Sequence, residues 1–230
     1  MHQRTIIILS LITLHTMAQA DLVITGYYDG EFTSDSTSRG MELYATRDLT
    51  LGNYEIQTEW NGESDGVAEW YTTVTTWGTD GGLDSTDTLV AGSFLYLFDS
   101  LDAKNLFANE VGDPEYWTTH NNLKGNGNDA FRIVRENDSI VVDQLGDPSD
   151  TTLWEHEHDY LYRKDLTGPN SGTFDAGNWA ISSGDAMSGA NTVLRNFPAG
   201  TYIYNSIPES AGALLFLAFL LFMLKSKRAK

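Results

Sequence analysis

Trp154-Glu155-His156-Glu157-His158-Asp159 is the stretch of this chain richest in groups that could do chemistry. On a strand, residues i and i+2 share a face, so His156 and His158 would point together toward a divalent cation, with Glu155 and Glu157 on the opposite side. A zinc centre requires three or four ligands, and the helical His-Glu-x-x-His spacing is absent. The remaining histidines, His2, His15 and His120, are scattered. The stretch therefore reads as an exposed polar edge, and no metal ligand is assigned.

Other candidates are weaker. Asp80, Asp84 and Asp87 put three carboxylates in one Gly- and Asp-rich loop. These are suitable oxygens for calcium, but the regular spacing and closing glutamate of an EF-hand are missing. Ser93, in Ala91-Gly92-Ser93-Phe94, lacks the Gly-x-Ser-x-Gly elbow of a serine hydrolase. Gly125-Asn126-Gly127-Asn128-Asp129 leads into a strand and carries no lysine, so it is a turn rather than a phosphate cradle. Paired carboxylates for glycoside hydrolysis carry no information where 32 acidic residues guarantee that some pair falls close. No catalytic residue and no cofactor is assigned.

The elements that would position such groups are short strands. Ala130–Arg135 alternates apolar and polar, Ile140-Val141-Val142 is β-branched, and Glu136-Asn137-Asp138 between them supplies turn chemistry. Gly125, Gly127 and Gly146 fence this hairpin, whose apolar face needs a sheet to pack on. Further strands are expected at Asp21–Tyr28, Met41–Tyr44, Leu49–Thr58, Glu69–Trp77, Trp154–Lys164 and Gly172–Ile181. Asp29–Gly40 and Gly78–Asp87 read as loops, and Leu101–Asn109 as one short helix. Thr88–Phe98 reads as a strand pair around Gly92, with Phe94, Tyr96 and Phe98 on one face and Leu95 and Leu97 on the other. Short strands at this spacing predict an all-β, antiparallel sandwich.

Composition narrows the class. The chain has 230 residues, no cysteine and a formal net charge of −18. Without disulfides the fold must hold by burial alone. Of the basic residues, Arg4 lies near the start and Lys225, Lys227, Arg228 and Lys230 at the end, so the body between is more acidic still. Such a surface repels phosphate backbones, which argues against a nucleic-acid partner.

Both ends read as targeting segments. Residues 1–20 have a weakly basic start, an apolar core over Ile6–Leu14 and a small-residue cleavage site at Ala18-Gln19-Ala20, the pattern of a secretory signal peptide. The mature chain would begin at Asp21. At the other end, Ile207-Pro208-Glu209-Ser210 precedes an uncharged apolar run, Ala211–Leu224, and a basic tail, Lys225–Lys230. The run is somewhat short of the ~20 residues of a spanning helix, but Ile207 and snorkelling lysines lengthen its reach. The basic cluster sets the C-terminus on the cytoplasmic side.

The C-terminal module, residues 207–230, resembles a PEP-CTERM sorting signal, with Pro208 and Glu209 matching the motif and Ser210 standing where the second proline is usual. That resemblance implies a sorting peptidase of the exosortase type as partner, in a bacterium that makes extracellular polysaccharide. The body, residues 21–190, resembles the lamin-tail domain, an immunoglobulin-like β-sandwich. The likeness lies in Leu22-Val23-Ile24-Thr25, Met41-Glu42-Leu43-Tyr44, Gly127–Ile133, Ile140–Asp143, Tyr162-Arg163-Lys164 and Phe174 with Trp179. Residues 191–206 would form a linker or terminal strand.

Together these readings describe an exported, non-catalytic protein of the cell envelope or surface with a structural or adhesive role. It would be anchored by a C-terminal membrane helix and would meet extracellular polysaccharide or another surface protein. A carbohydrate-binding module would require solvent-facing aromatics, with Trp60, Trp70, Trp77 and Trp117 as candidates. A divalent-metal hydrolase would require a pocket converging on His156 and His158.

Overall fold

The computed structural model describes residues 21–33, 36–60, 69–74, 77, 82–120, 123, 125, 127–150, 152, 154–188 and 193–204. The leader with Ala18 and Ala20, and the C-terminal module with Pro208 and Glu209, lie outside the described residues. In chain order the strands are β1 (Leu22–Thr33), β2 (Ser36–Ala45), β3 (Leu49–Thr50), β4 (Tyr54–Glu59), β5 (Tyr71–Val74), β6 (Thr88–Leu89) and β7 (Phe94–Phe98). After the helix α1 (Leu101–Glu110) come β8 (Tyr116–Thr119), β9 (Ala130–Arg135), β10 (Ile140–Leu145), β11 (Tyr160–Arg163) and β12 (Trp179–Ile181).

These strands form a six-stranded sheet in the order β12-β11-β1-β2-β7-β8, a four-stranded sheet in the order β10-β9-β4-β5, and a small β3-β6 ribbon. The described residues are thus mostly β-sheet, with one α-helix among them. Among the described residues, no helix is long and apolar enough to cross a membrane.

The β9–β10 hairpin forms where the alternation places it. Phe131 and Ile133 are buried on one face, while Arg132 lies only partly covered on the opposite one and Arg135 only partly covered at the strand's end. The turn spans Glu136–Ser139, and its left-handed residue is Ser139 (φ 57°) rather than Asn137 or Asp138. Asp138 instead accepts from Nε and Nη2 of Arg135. Gly146 ends the hairpin at φ 87°, and a Cβ there would meet the Trp154 ring at 2.6 Å, so the glycine serves both backbone and packing.

Several sequence expectations are corrected. Asp29–Gly40 is not a loop, because β1 and β2 run on as a long hairpin arm through it. Asp29 and Arg39 are cross-strand partners bonded at 2.7 Å, so these polar groups satisfy each other within the ladder and the strands need not end. The Leu49–Thr58 strand is broken by a 3-10 turn at Leu51–Asn53. Residues 154–159 are a turn, with β11 starting only at Tyr160. The body is not wholly antiparallel either. β7 and β8 pair in parallel, with α1 making the crossover that parallel neighbours need. Ser100 caps α1 by accepting the Ala103 N–H at 3.1 Å.

Both faces of the six-stranded sheet are buried. Leu22, Ile24, Met41, Leu43, Leu95, Leu97 and Leu161 share one core with Ile56, Phe131, Ile133, Val142 and Leu145 of the four-stranded sheet. Tyr28, Tyr96, Phe98 and Tyr162 belong to a second core, closed by Ala103 and Phe107 of α1 and by Leu194, Phe197 and Tyr202. The alternation in β7 therefore marks two cores, one on each side.

Candidate functional site

The second core is almost wholly aromatic on the sheet side. The ring of Phe107 sits 4.8 Å from Tyr96 and 5.3 Å from Phe98. Phe197 meets Tyr28 at 5.3 Å and Tyr162 at 5.4 Å, edge to face. Residues 193–204 thus lie against the sheet as a cover.

A buried polar cluster fastens that cover. Glu42 accepts from Thr25 Oγ1 at 2.6 Å, from the Tyr162 hydroxyl at 2.8 Å and from the Gly200 N–H at 2.6 Å. The Tyr162 oxygen in turn accepts the N–H groups of Thr201 (3.1 Å) and Tyr202 (3.0 Å). Burial pushes the Glu42 carboxyl above its ordinary value, while the Thr25 hydroxyl, the Gly200 amide and the tyrosine hydroxyls pull it back.

The cover stops short at one margin. Beside Ala199 and the end of α1 opens a cleft of about 390 Å³, lined by Phe94, Tyr96, Phe107 and Tyr116, with Asp113 and Glu115 from the 111–116 loop. Phe94 and Tyr116 are half-buried, and Asp113 and Glu115 are exposed. Gly112 (φ 142°) has no atom within 4 Å of a built Cβ, so this part of the loop is open to solvent. The Phe94 ring lies 5.1 Å from Tyr44, which lies 6.2 Å from Tyr204. Lys104 is tied to Asp113 at 2.7 Å, and its ammonium stands 4.9 Å from the Trp117 ring centre.

The residues singled out in the sequence fall elsewhere. His156 is buried and His158 sits in the turn at φ 59°, so the shared strand face expected for the pair does not exist, nor does an exposed edge at His156. Because the Trp154 carbonyl can only accept, the contact at 3.2 Å makes His156 Nδ1 the protonated nitrogen. Its ring packs edge-on to Tyr27 at 5.2 Å. In the acidic loop, Asp84 accepts both the N–H and the hydroxyl of Thr86, and Asp87 accepts the Asp84 N–H. Those carboxylates close their own turn. Asp80 lies outside the described residues. Among the described residues no three His, Asp or Glu side chains cluster around a common point where a metal ion could sit.

Of the four tryptophans, Trp77 is buried and donates to the Tyr54 carbonyl at 3.1 Å. Trp60, Trp70 and Trp117 are half-buried, with Arg132 stacked 4.2 Å from the Trp70 ring centre. Sequence reasoning missed Tyr44, Tyr116, Asp113, Glu115 and Tyr204 as site residues. The available signal was the double apolar alternation of β7, which implies a second layer and therefore a margin where that layer ends.

The described residues form a β-rich body with a partly open cleft beside Phe94. No protein-family model matches the chain, and no curated protein does either.

Proposed function

We propose that this is an exported, non-catalytic surface protein with a structural or adhesive role, which meets polysaccharide or a surface partner through the cleft beside Phe94 and Ala199. In this reading the two large sheets are an immunoglobulin-like sandwich of lamin-tail type. Residues 1–20 direct export, and residues 207–230 act as a PEP-CTERM-like sorting and membrane segment. The observation that carries the binding role is an acid-rimmed cleft lined by half-buried Phe94, whose ring neighbours half-buried Tyr44. Rings left partly wet on a rigid sheet offer apolar area at little entropic cost to a partner. The acidic body supports an extracellular setting through its solubility.

The test is the intact mass of the protein recovered from envelope and medium fractions of its native host. A mature chain starting at Asp21, with a released form lacking everything after about Ile207, supports export and sorting. A chain that retains residues 1–20 and stays in the cytoplasm overturns the reading.

A further inference from the structure

We infer that the end of the body formed by the 164–168 turn and Ile203 lies on a lipid bilayer, with the β1–β2 arm pointing away from it, a step that rests on the membrane role proposed above for residues 207–230. Ile203 is 59% exposed and Leu166 61%, the highest values among the large apolar residues described. The Leu166 N–H donates to the Ile203 carbonyl at 2.9 Å, so the two are neighbours. Tyr202 is buried and Tyr204 half-buried, which leaves Ile203 between them facing outward. Leu166 is also held at φ 63°, a left-handed backbone that is costly for leucine. A strained leucine that buries little in the free body has a use once another surface covers it.

Sequence distance names that surface. Ile203 lies four residues before Ile207, at most ~14 Å along a fully extended chain. As a helix, the uncharged run Ala211–Leu224 would reach only about 21 Å, short of a hydrocarbon core of about 30 Å. The shortfall draws Ile207 and the residues after it to the membrane surface, and the end of the body with them. Lys164 and Asp165, both exposed, put one charge of each sign on the turn. The turn itself therefore carries no net charge against zwitterionic headgroups, although the whole chain carries −18. Tyr204 adds a residue type suited to the boundary between headgroup and hydrocarbon.

Topology fixes which way the rest points. Strand β11 ends at Arg163, whose Nε donates to the Ile24 carbonyl at 2.7 Å, close to the start of β1. Tyr204 meets Tyr44, close to the end of β2. The apolar pair thus lies where β1 begins and β2 finishes. Strand β1 is twelve residues long, so Thr33 stands about 35 Å from Leu22 along the strand. Leu101 marks the opposite end too, because β7 pairs Phe94 with Tyr44 and Phe98 with Gly40 before α1 starts.

The experiment reads membrane depth with a single fluorescent label. The chain has no cysteine, so Ile203→Cys, Leu166→Cys, Leu101→Cys and Ala218→Cys each carry one thiol. Each full chain, labelled with an NBD dye, is reconstituted into phosphatidylcholine vesicles containing lipid with a nitroxide either near the headgroup or deep in the acyl chain. The shallow nitroxide should remove most of the emission from the labels on Ile203→Cys and Leu166→Cys and leave that on Leu101→Cys unchanged. The deep nitroxide should quench the label on Ala218→Cys. Quenching of Ala218→Cys with none at either Ile203→Cys or Leu166→Cys overturns the inference while leaving the membrane segment standing. Equal quenching of Leu101→Cys overturns the orientation. A label on Ile203→Cys shielded from aqueous iodide yet untouched by both nitroxides shows a second copy on this face and overturns the lipid partner. No quenching of Ala218→Cys overturns the membrane segment and the inference together, and the mass measurement judges export separately.

Discussion

Arg163 and Asp143, twenty residues apart in sequence, meet at 2.6 Å with both side chains sealed from solvent. The pair ties the two large sheets together, because Asp143 lies on β10 and Arg163 on β11. Asp143 also accepts the Ile24 N–H at 2.8 Å and the Asn170 N–H at 3.0 Å. Arg163 donates to the Ile24 carbonyl at 2.7 Å and the Gly168 carbonyl at 3.1 Å, and its guanidinium lies 4.5 Å from the Trp179 ring centre. Burial pushes the Asp143 carboxyl above its ordinary value, and the Arg163 charge opposes that push.

Arg163→Ala is expected to cost about 3–5 kcal/mol, because it leaves a buried carboxylate without its cation. Asp143→Leu combined with Arg163→Met should recover part of that loss, since neither charge is then desolvated but the Ile24 and Asn170 N–H groups lose their acceptor. Urea unfolding midpoints of the three chains check this. A double variant no more stable than Arg163→Ala alone would show that the pair contributes net stability.

Tyr162→Phe should loosen the cover before it loosens the sheet. The hydroxyl serves Glu42, Thr201 and Tyr202 at once, so its removal strands two backbone donors at a cost of about 2 kcal/mol. Hydrogen exchange should accelerate at Thr201 and Tyr202 while the β1–β2 amides keep their protection. Equal acceleration everywhere would refute a local opening.

His156 should make the fold acid-sensitive. Burial lowers its pKa to about 4; the Trp154 carbonyl opposes the shift and the Arg39 charge adds to it. An unfolded histidine titrates near ~6.5, so between that value and about 4 the unfolded chain holds the extra proton. Stability from this group is complete above roughly pH 6.5 and is lost as the pH falls toward about 4, by on the order of 3 kcal/mol in total. Comparing urea midpoints of the native chain and His156→Gln from pH 7 to 4 isolates the effect. Parallel pH profiles for the two chains would contradict it.

Leu166→Asn is expected to stabilise the protein by about 0.5–1 kcal/mol. Leu166 holds φ 63°, a left-handed conformation that suits Asn better, and is 61% exposed, so little burial is lost. Its N–H donates to the Ile203 carbonyl at 2.9 Å, a bond the substitution keeps. Thermal unfolding reads the change, and a lower midpoint would count against strain at this site.

The legible parts of the sequence were those set by near neighbours. Alternation in Ala130–Arg135 and the β-branched run at Ile140 produced β9 and β10 because side-chain direction on a strand has period two whatever the strand packs on. The short helix expected over Leu101–Asn109 starts at Leu101 for an equally local reason, an N–H that finds its acceptor in Ser100. Polar composition misled where partners were distant in space or across a ladder. Asp29 and Arg39 extended a hairpin that looked like a loop, and His156 went into the core.

The cleft was not legible at all. The 111–116 loop reaches the margin beside Phe94 only because α1 carries the chain over to a parallel neighbour, and Tyr204 joins Tyr44 there through a cover from residues 193–204. By itself, the sequence determined the β-rich class, the acidic surface and which residues alternate. The tertiary structure decided what each face packs against, because that depends on pairings between distant segments, which local periodicity does not encode.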